Sequence, residues 1–191
     1  MRKIDIKLAN GEIVKGDEFD LEDIDTLLEI YAKIQEANVL LKSLGGRKLN
    51  IPDVFSEGLY CVLFNAVRTN GSAHSYDAID KGTKEGIQIK SASIPKDCTS
   101  FGPKSTWDKL IYMDFAYDEE KPEKVALYEI PTEEVYGVVV NTSKNETFKE
   151  QQEQNRRPRF AIKNKIIIPM KLEPIEIIDL KELSNKKGGN H

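Results

Sequence analysis

The apolar residues of this chain change their period near residue 71, and that change restricts it to mixed helix-and-sheet architectures. Before it, Leu21, Ile24, Leu27, Leu28, Tyr31 and Ile34 recur at the spacing of one helix face. Asp20 is placed to cap this helix, and Gly45-Gly46 to stop it after Leu44. A second helix is expected to open at Ile51-Pro52-Asp53, to turn Phe55, Leu59, Val62, Leu63 and Val67 inward, and to end at Asn70-Gly71-Ser72. After it the period moves towards two. Strands are expected at 75–80, 87–94, 110–117 and 125–130, with a turn at 81–86 and the last two strands paired through the charged turn 118–123. Ahead of the helices, 3–8 and 12–15 flank Asn10-Gly11, a two-residue hairpin signal. Short helices are expected at 132–136 and 148–155, a basic strand or hairpin arm at 161–169, and a disordered tail at 184–191. The pattern predicts an α/β (α+β) fold in a single domain covering 1–183.

Composition excludes several classes. The chain has 191 residues, 39% hydrophobic and 31% charged, which suits a globular domain with a real core. The longest apolar runs, Val138 to Val140 and Ile166 to Met170, fall far short of the ~20 residues of a bilayer span, and the N-terminus has no signal-peptide stretch. Cys61 and Cys98, with His74 and His191, cannot build a disulfide framework or a zinc site, so a cytoplasmic protein is expected. Cys61 lies on an apolar helix face and reads as a buried structural cysteine. His74, beside Ser72 and Ser75, has no nucleophile elbow near it, and no glycine-rich phosphate loop is present.

The net charge is −4, unevenly placed. Seven acids (Asp17, Glu18, Asp20, Glu22, Asp23, Asp25, Glu29) fall within 17–29 with no base among them, leaving the rest slightly basic. Such a run reads as a solvated face at a helix N-terminus. Between Asn141 and Lys171 there are eight bases against three acids. Arg156, Arg157 and Arg159, beside Gln152, Gln154 and Asn155, supply forked and amide donors suited to phosphates and purine edges, although an exposed charged loop has the same composition.

The chemistry concentrates elsewhere. Gln88 and Lys90 project on one face of a strand, and Asp77, across a turn, reaches that face. A carboxylate, an amide oxygen and an ammonium in that arrangement suit a hard cation such as Mg²⁺ with a lysine to orient water. Glu57, turned differently from Phe55 and Leu59, is placed to lean over the strand pair. Taken alone, this spacing also occurs in surface hairpins, and Glu57 is also a favourable first-turn acid.

Ile51-Pro52-Asp53-Val54-Phe55-Ser56-Glu57-Gly58, Tyr76-Asp77-Ala78-Ile79-Asp80, Ile87-Gln88-Ile89-Lys90-Ser91, Ser100-Phe101-Gly102-Pro103 and Arg156-Arg157-Pro158 occur in that order. Together they resemble a small group of bacterial Type II restriction endonucleases of the PD-(D/E)xK nuclease superfamily that cut GC-N-GC. The resemblance spans about residues 44–169. It implies a restriction-endonuclease-like core, with an N-terminal hairpin and acidic helix at about 1–44, a catalytic core at about 45–130 and a DNA-reading segment at about 141–171. Asp77 matches the metal-binding aspartate, with Asp80 as the nearby alternative. Gln88 stands where glutamate is common and keeps an oxygen but not the charge. Lys90 matches the motif lysine and Glu57 the helix glutamate, while Tyr76 stands where the motif has proline.

The implied activity is Mg²⁺-dependent hydrolysis of double-stranded DNA at a short GC-rich palindrome, leaving 5′-phosphates. Asp77, Gln88, the Ile89 carbonyl and Glu57 would hold the metal. Arg156, Arg157 and Arg159, helped by Gln152, Gln154 and Asn155, would read bases, and Lys104 and Lys163 would touch phosphates. A palindrome implies a homodimer. Residues 17–29 are expected to face away from DNA, and binding without Mg²⁺ to be weak and salt-sensitive. A repair nuclease of the same superfamily, or an inactive DNA-binding domain with the same fold, remains open on the residues alone.

Overall fold

In a computed structural model of the chain, residues 1–70, 75–94 and 96–185 are described. The chain opens with the hairpin β1 (Arg2–Lys7) and β2 (Ile13–Glu18), paired from Arg2↔Glu18 to Lys7↔Ile13. Its loop is longer than the two residues expected. Leu8 N–H donates to the Glu12 carbonyl at 2.8 Å, and Gly11 takes a φ of 87° that a residue with a Cβ rarely adopts.

Helix α1 (Asp23–Ser43) buries Ile24, Leu27, Tyr31 and Ile34 as its period requires. Asp20 lies outside it and accepts the Glu22 N–H at 2.9 Å, and Gly45, at φ 71°, ends it. Helix α2 (Asp53–Leu63) is shorter than expected. Asn65, at φ 51°, turns the chain out of it, and Ala66–Thr69 form strand β3 instead of a last helical turn. Val67 is therefore buried as a strand residue. Its burial satisfies either period, which is why the sequence did not separate the two.

Three short strands follow in sequence: β4 (Ala78–Asp80), β5 (Gly86–Ala92) and β6 (Thr99–Ser100). Then come β7 (Lys109–Asp114), β8 (Lys124–Ile130), α3 (Thr132–Gly137), β9 (Val139–Asn141), β10 (Glu146–Thr147), α4 (Phe148–Glu153) and β11 (Arg159–Phe160). A capping box closes the start of α4, with Thr147 and Glu150 satisfying each other's backbone N–H. Where a basic strand was expected, Lys163–Ile167 form a π-helical turn that runs into α5 (Ile168–Met170). Ile166 and Ile167 are both buried and Ile168 is exposed, which is not strand alternation, and Pro169 has no N–H to continue a regular ladder. Strand β12 (Glu176–Asp179) and helix α6 (Leu180–Asn185) complete the described chain. Ser184 and Asn185 are thus helical, and the remainder of the expected tail, like His74, lies outside the described residues.

Eight strands form one sheet in the order β1-β2-β3-β4-β5-β7-β8-β12. Only β5 and β7 run parallel, paired from Ile87↔Lys109 to Ala92↔Asp114. The sheet is mixed and has helices against it, so the expected α+β class holds. Along β5, β7 and β8 alternation divides the side chains between two cores. Ile87, Ile89, Ile111, Met113, Val125 and Leu127 face α1 and α2, where Phe55 and Leu59 are fully buried. Ala92, Leu110, Tyr112, Ala126 and Tyr128 face a second core of Phe101, Trp107, Phe148 and Phe160. Each large side chain so buried contributes about 1.5–3 kcal/mol. No described helix is long and apolar enough to cross a membrane.

Candidate active site

Strand β4 pairs with β5 only at Ala78↔Ile87 and Ile79↔Gly86, and the two strands part beyond that point. Asp77 stands at the opening, its N–H donating to the Ile87 carbonyl at 2.9 Å. Its carboxylate takes the place of the lost ladder: Oδ2 accepts the Ile89 N–H at 2.8 Å and a hydrogen bond from the Gln88 side-chain amide. An amide group facing an ionised carboxylate must present its nitrogen, so Gln88 here is a donor to Asp77. Asp80, the alternative metal ligand, is taken up by the turn, where Oδ1 accepts the Gly82 and Thr83 N–H groups at 2.7 and 2.8 Å. The tight entry to β5 needs glycine: a Cβ on Gly86 would lie 2.5 Å from the Tyr76 ring.

Gln88 and Lys90 share a face of β5, opposite Ile87 and Ile89. Lys90 Nζ lies 5.3 Å from the centroid of the Phe101 ring, a cation–π contact that sets the ammonium beside the cleft. Glu57 approaches from α2, nearly buried, with Oε2 accepting from Arg68 Nε at 2.5 Å. Glu57, Asp77, Lys90, Ser100 and Arg157 line both halves of a polar cleft, two adjoining cavities of ≈ 390 and ≈ 300 Å³. Burial raises the proton affinity of Asp77, while Lys90 and the Ile89 N–H oppose the rise. Burial first and the Asp77 charge second also raise that of Glu57, and Arg68 pulls it down.

The two narrower motifs prove to be neighbours. Strand β11 pairs with β6 (Arg159↔Ser100, Phe160↔Thr99), and the Phe101 N–H donates to the Pro158 carbonyl at 3.1 Å. Gln152 Nε2 donates to the Gly102 and Ser105 carbonyls at 3.0 and 3.2 Å, so it braces this turn. Arg157 and Arg159 are exposed and line the cleft. Arg156 turns away, with Nη1 2.9 Å from Glu146 and donating to Gln154 Oε1 at 3.1 Å. Asn155, at φ 57°, and Gln154 and Lys104 are exposed outside the cleft lining. Lys163 lies 2.6 Å from buried Asp114 Oδ2, off the angle of a hydrogen bond, and donates to the Ala116 carbonyl, an ion pair that anchors the π-helical turn.

Sequence reasoning passed over Arg68, Asp53, Asn50 and Asp97, all of which line the cleft. Arg68 was concealed by the expected helix. Asp53 carried a signal, its place at the first turn of α2 beside Glu57. The acidic run is also placed differently from the solvated helix face expected. Asp17 and Glu18 belong to β2, Asp17 is buried, and they are paired with Lys3, Arg68, Arg2 and Lys81.

Among the described residues no group of three His, Cys, Asp or Glu side chains is gathered closely enough to ligate an ion. The oxygen donors at the cleft include the carboxylates of Asp53, Glu57, Asp77 and Asp97 and strand carbonyls. That set fits a hard cation which keeps several waters.

A mixed sheet flanked by helices, with a polar cleft where its strands part, is a restriction-endonuclease-like architecture. The family described as Bsp6I restriction endonuclease matches residues 19–169. The Type II restriction enzyme Bsp6I of Bacillus sp. (strain RFL6) is 29% identical over 177 residues, covering 91% of this chain and 96% of that one. No solved structure matches. The chain belongs to the Bsp6I restriction endonuclease family, and it is a Type II restriction endonuclease, a site-specific deoxyribonuclease acting on DNA.

Proposed function

We propose that the enzyme is a Mg²⁺-dependent PD-(D/E)xK nuclease that hydrolyses double-stranded DNA at a short GC-rich palindrome of the form GC-N-GC and leaves 5′-phosphates. It works as a homodimer of one-domain subunits in the cytoplasm. The observation that carries the reading is the convergence of Asp77, Glu57 and Lys90 on one cleft that Arg157 and Arg159 also line.

Asp77, Glu57 and the Ile89 carbonyl would hold the cation. In a strand a residue's N–H and C=O leave by the same edge, so the N–H that meets Asp77 sets the Ile89 carbonyl towards it. When bound, Mg²⁺ supplies positive charge to polarise the scissile phosphate and to neutralise the leaving 3′ oxygen. Lys90, steadied on Phe101, positions the attacking water and stabilises its hydroxide form. Gln88, by donating to one Asp77 oxygen, leaves the other free for the ion. Arg157 and Arg159 have the exposure needed to reach guanine O6 and N7 in the major groove. Arg156, Gln152 and Lys163 are committed to partners within the protein, which makes the other two arginines the stronger readers.

Plasmid digestion with Mg²⁺ or with chelator, comparing wild type with Asp77→Ala and sequencing the ends, tests this. Discrete fragments with 5′-phosphates are expected from wild type with Mg²⁺, and loss of about 10³-fold or more in rate from the variant. Full activity of Asp77→Ala would reject the site.

A further inference from the structure

The cleft contains a fixed cation of its own. Arg68 stands on β3 with a forked guanidinium: Nε donates to Glu57 Oε2 at 2.5 Å, and Nη1 lies 3.6 Å from Asp17 Oδ2 on β2. Asp17, buried, also takes the Lys3 ammonium. An ion-paired chain, Lys3–Asp17–Arg68–Glu57, therefore runs from the edge hairpin to the cleft. The backbone beneath it is as constrained as the side chain. Asp17 pairs with Arg68 in the sheet, and a Cβ on neighbouring Gly16 would lie 2.7 Å from the Arg68 carbonyl oxygen. Arg68 lines the same half of the cleft as Asp77, Gln88 and Lys90, and only a quarter of its side chain is exposed.

We propose that Arg68 is the resident counter-cation of the cleft, a positioning residue that acts through Glu57 and lowers the affinity of the DNA-free enzyme for divalent cations. The inference rests on the metal site proposed above. A divalent ion seated by Glu57 must share that carboxylate with a guanidinium, and two cations in a partly desolvated site repel. Arginine cannot yield by losing its proton. The unfavourable term therefore persists until further negative charge enters the cleft, and a DNA phosphate is charge of that kind.

The test is Mn²⁺ alone, titrated into full-length protein without DNA, with free Mn²⁺ read by electron paramagnetic resonance and folding checked by circular dichroism. Arg68→Met should bind Mn²⁺ about tenfold more tightly than wild type, whereas Arg68→Lys, which keeps the charge, should stay within about twofold. Asp17→Asn, which leaves the guanidinium wholly on Glu57, should bind about threefold more weakly. Wild-type or weaker affinity in Arg68→Met would overturn the proposal and reduce Arg68 to a brace. If Arg68→Met does not fold, an unchanged affinity in Asp17→Asn overturns it equally. Asp77→Asn separates the two readings. It should lose Mn²⁺ binding, and if it binds like wild type, the metal site itself is wrong whatever Arg68 does.

Discussion

Asp77 and Glu57 are carboxylates held where charge is costly, and the cost has a sign that can be measured. Burial raises both proton affinities above those of the unfolded chain. Between the unfolded and folded pKa values the native state then binds more protons, so the metal-free enzyme loses stability as pH rises through that window. Asp77→Asn keeps an acceptor for the Ile89 N–H and removes the charge. It should stabilise the metal-free protein at neutral pH by about 0.5–2 kcal/mol, with the gain vanishing below the ordinary aspartate range. Calorimetric melts in chelator across pH would show this, and a variant less stable than wild type at pH 7 would contradict it. Asp77, Gln88 and Lys90 were legible in the sequence because a strand period and one turn suffice to bring them together. The pairing of Gln88 with Asp77 as a donor was not, because it depends on where β4 leaves β5.

At the scale of elements, the strands that carry Arg68 and Asp17 meet with no space between them. Gly16→Ala would force a Cβ against Val67 and the Arg68 backbone, since the nearer obstacles include a main-chain oxygen that cannot rotate away. The expected cost is about 1–3 kcal/mol in urea denaturation, and a loss under a few tenths would show that the β2–β3 register is softer than described. The elements read correctly are those with one clear period and local stop signals: α1 up to Gly45, β5, β8 and the capped α4. Two of the failures share one cause: at 66–69 and 163–167 the local pattern does not fix the element, and neighbouring elements settle the choice, with β2 and β4 claiming the first and buried Asp114 and the second core the other.

For the whole molecule, the proposed palindromic site requires two equivalent clefts. Sedimentation should give twice the mass of one chain, and a supercoiled plasmid with one site should become linear without a lasting nicked intermediate. A monomer that accumulates nicked circles would reject the symmetric arrangement. The net charge of −4 does not describe one exposed acidic patch, since Asp17 and Glu18 are ion-paired within the fold to Lys3, Arg68, Arg2 and Lys81.

By itself the sequence determined the mixed helix-and-sheet class, the Asp77–Lys90 unit and the order of motifs that marks the family. Each of these depends on local period or on spacing along the chain. Only the tertiary structure decided that Phe101 seats Lys90, that Arg157 and Arg159 face the cleft while Arg156 and Lys163 serve ion pairs, and that Arg68 joins Asp17 to Glu57. Those contacts join residues distant along the chain, and which partner a charged side chain takes is set by the neighbours that packing supplies.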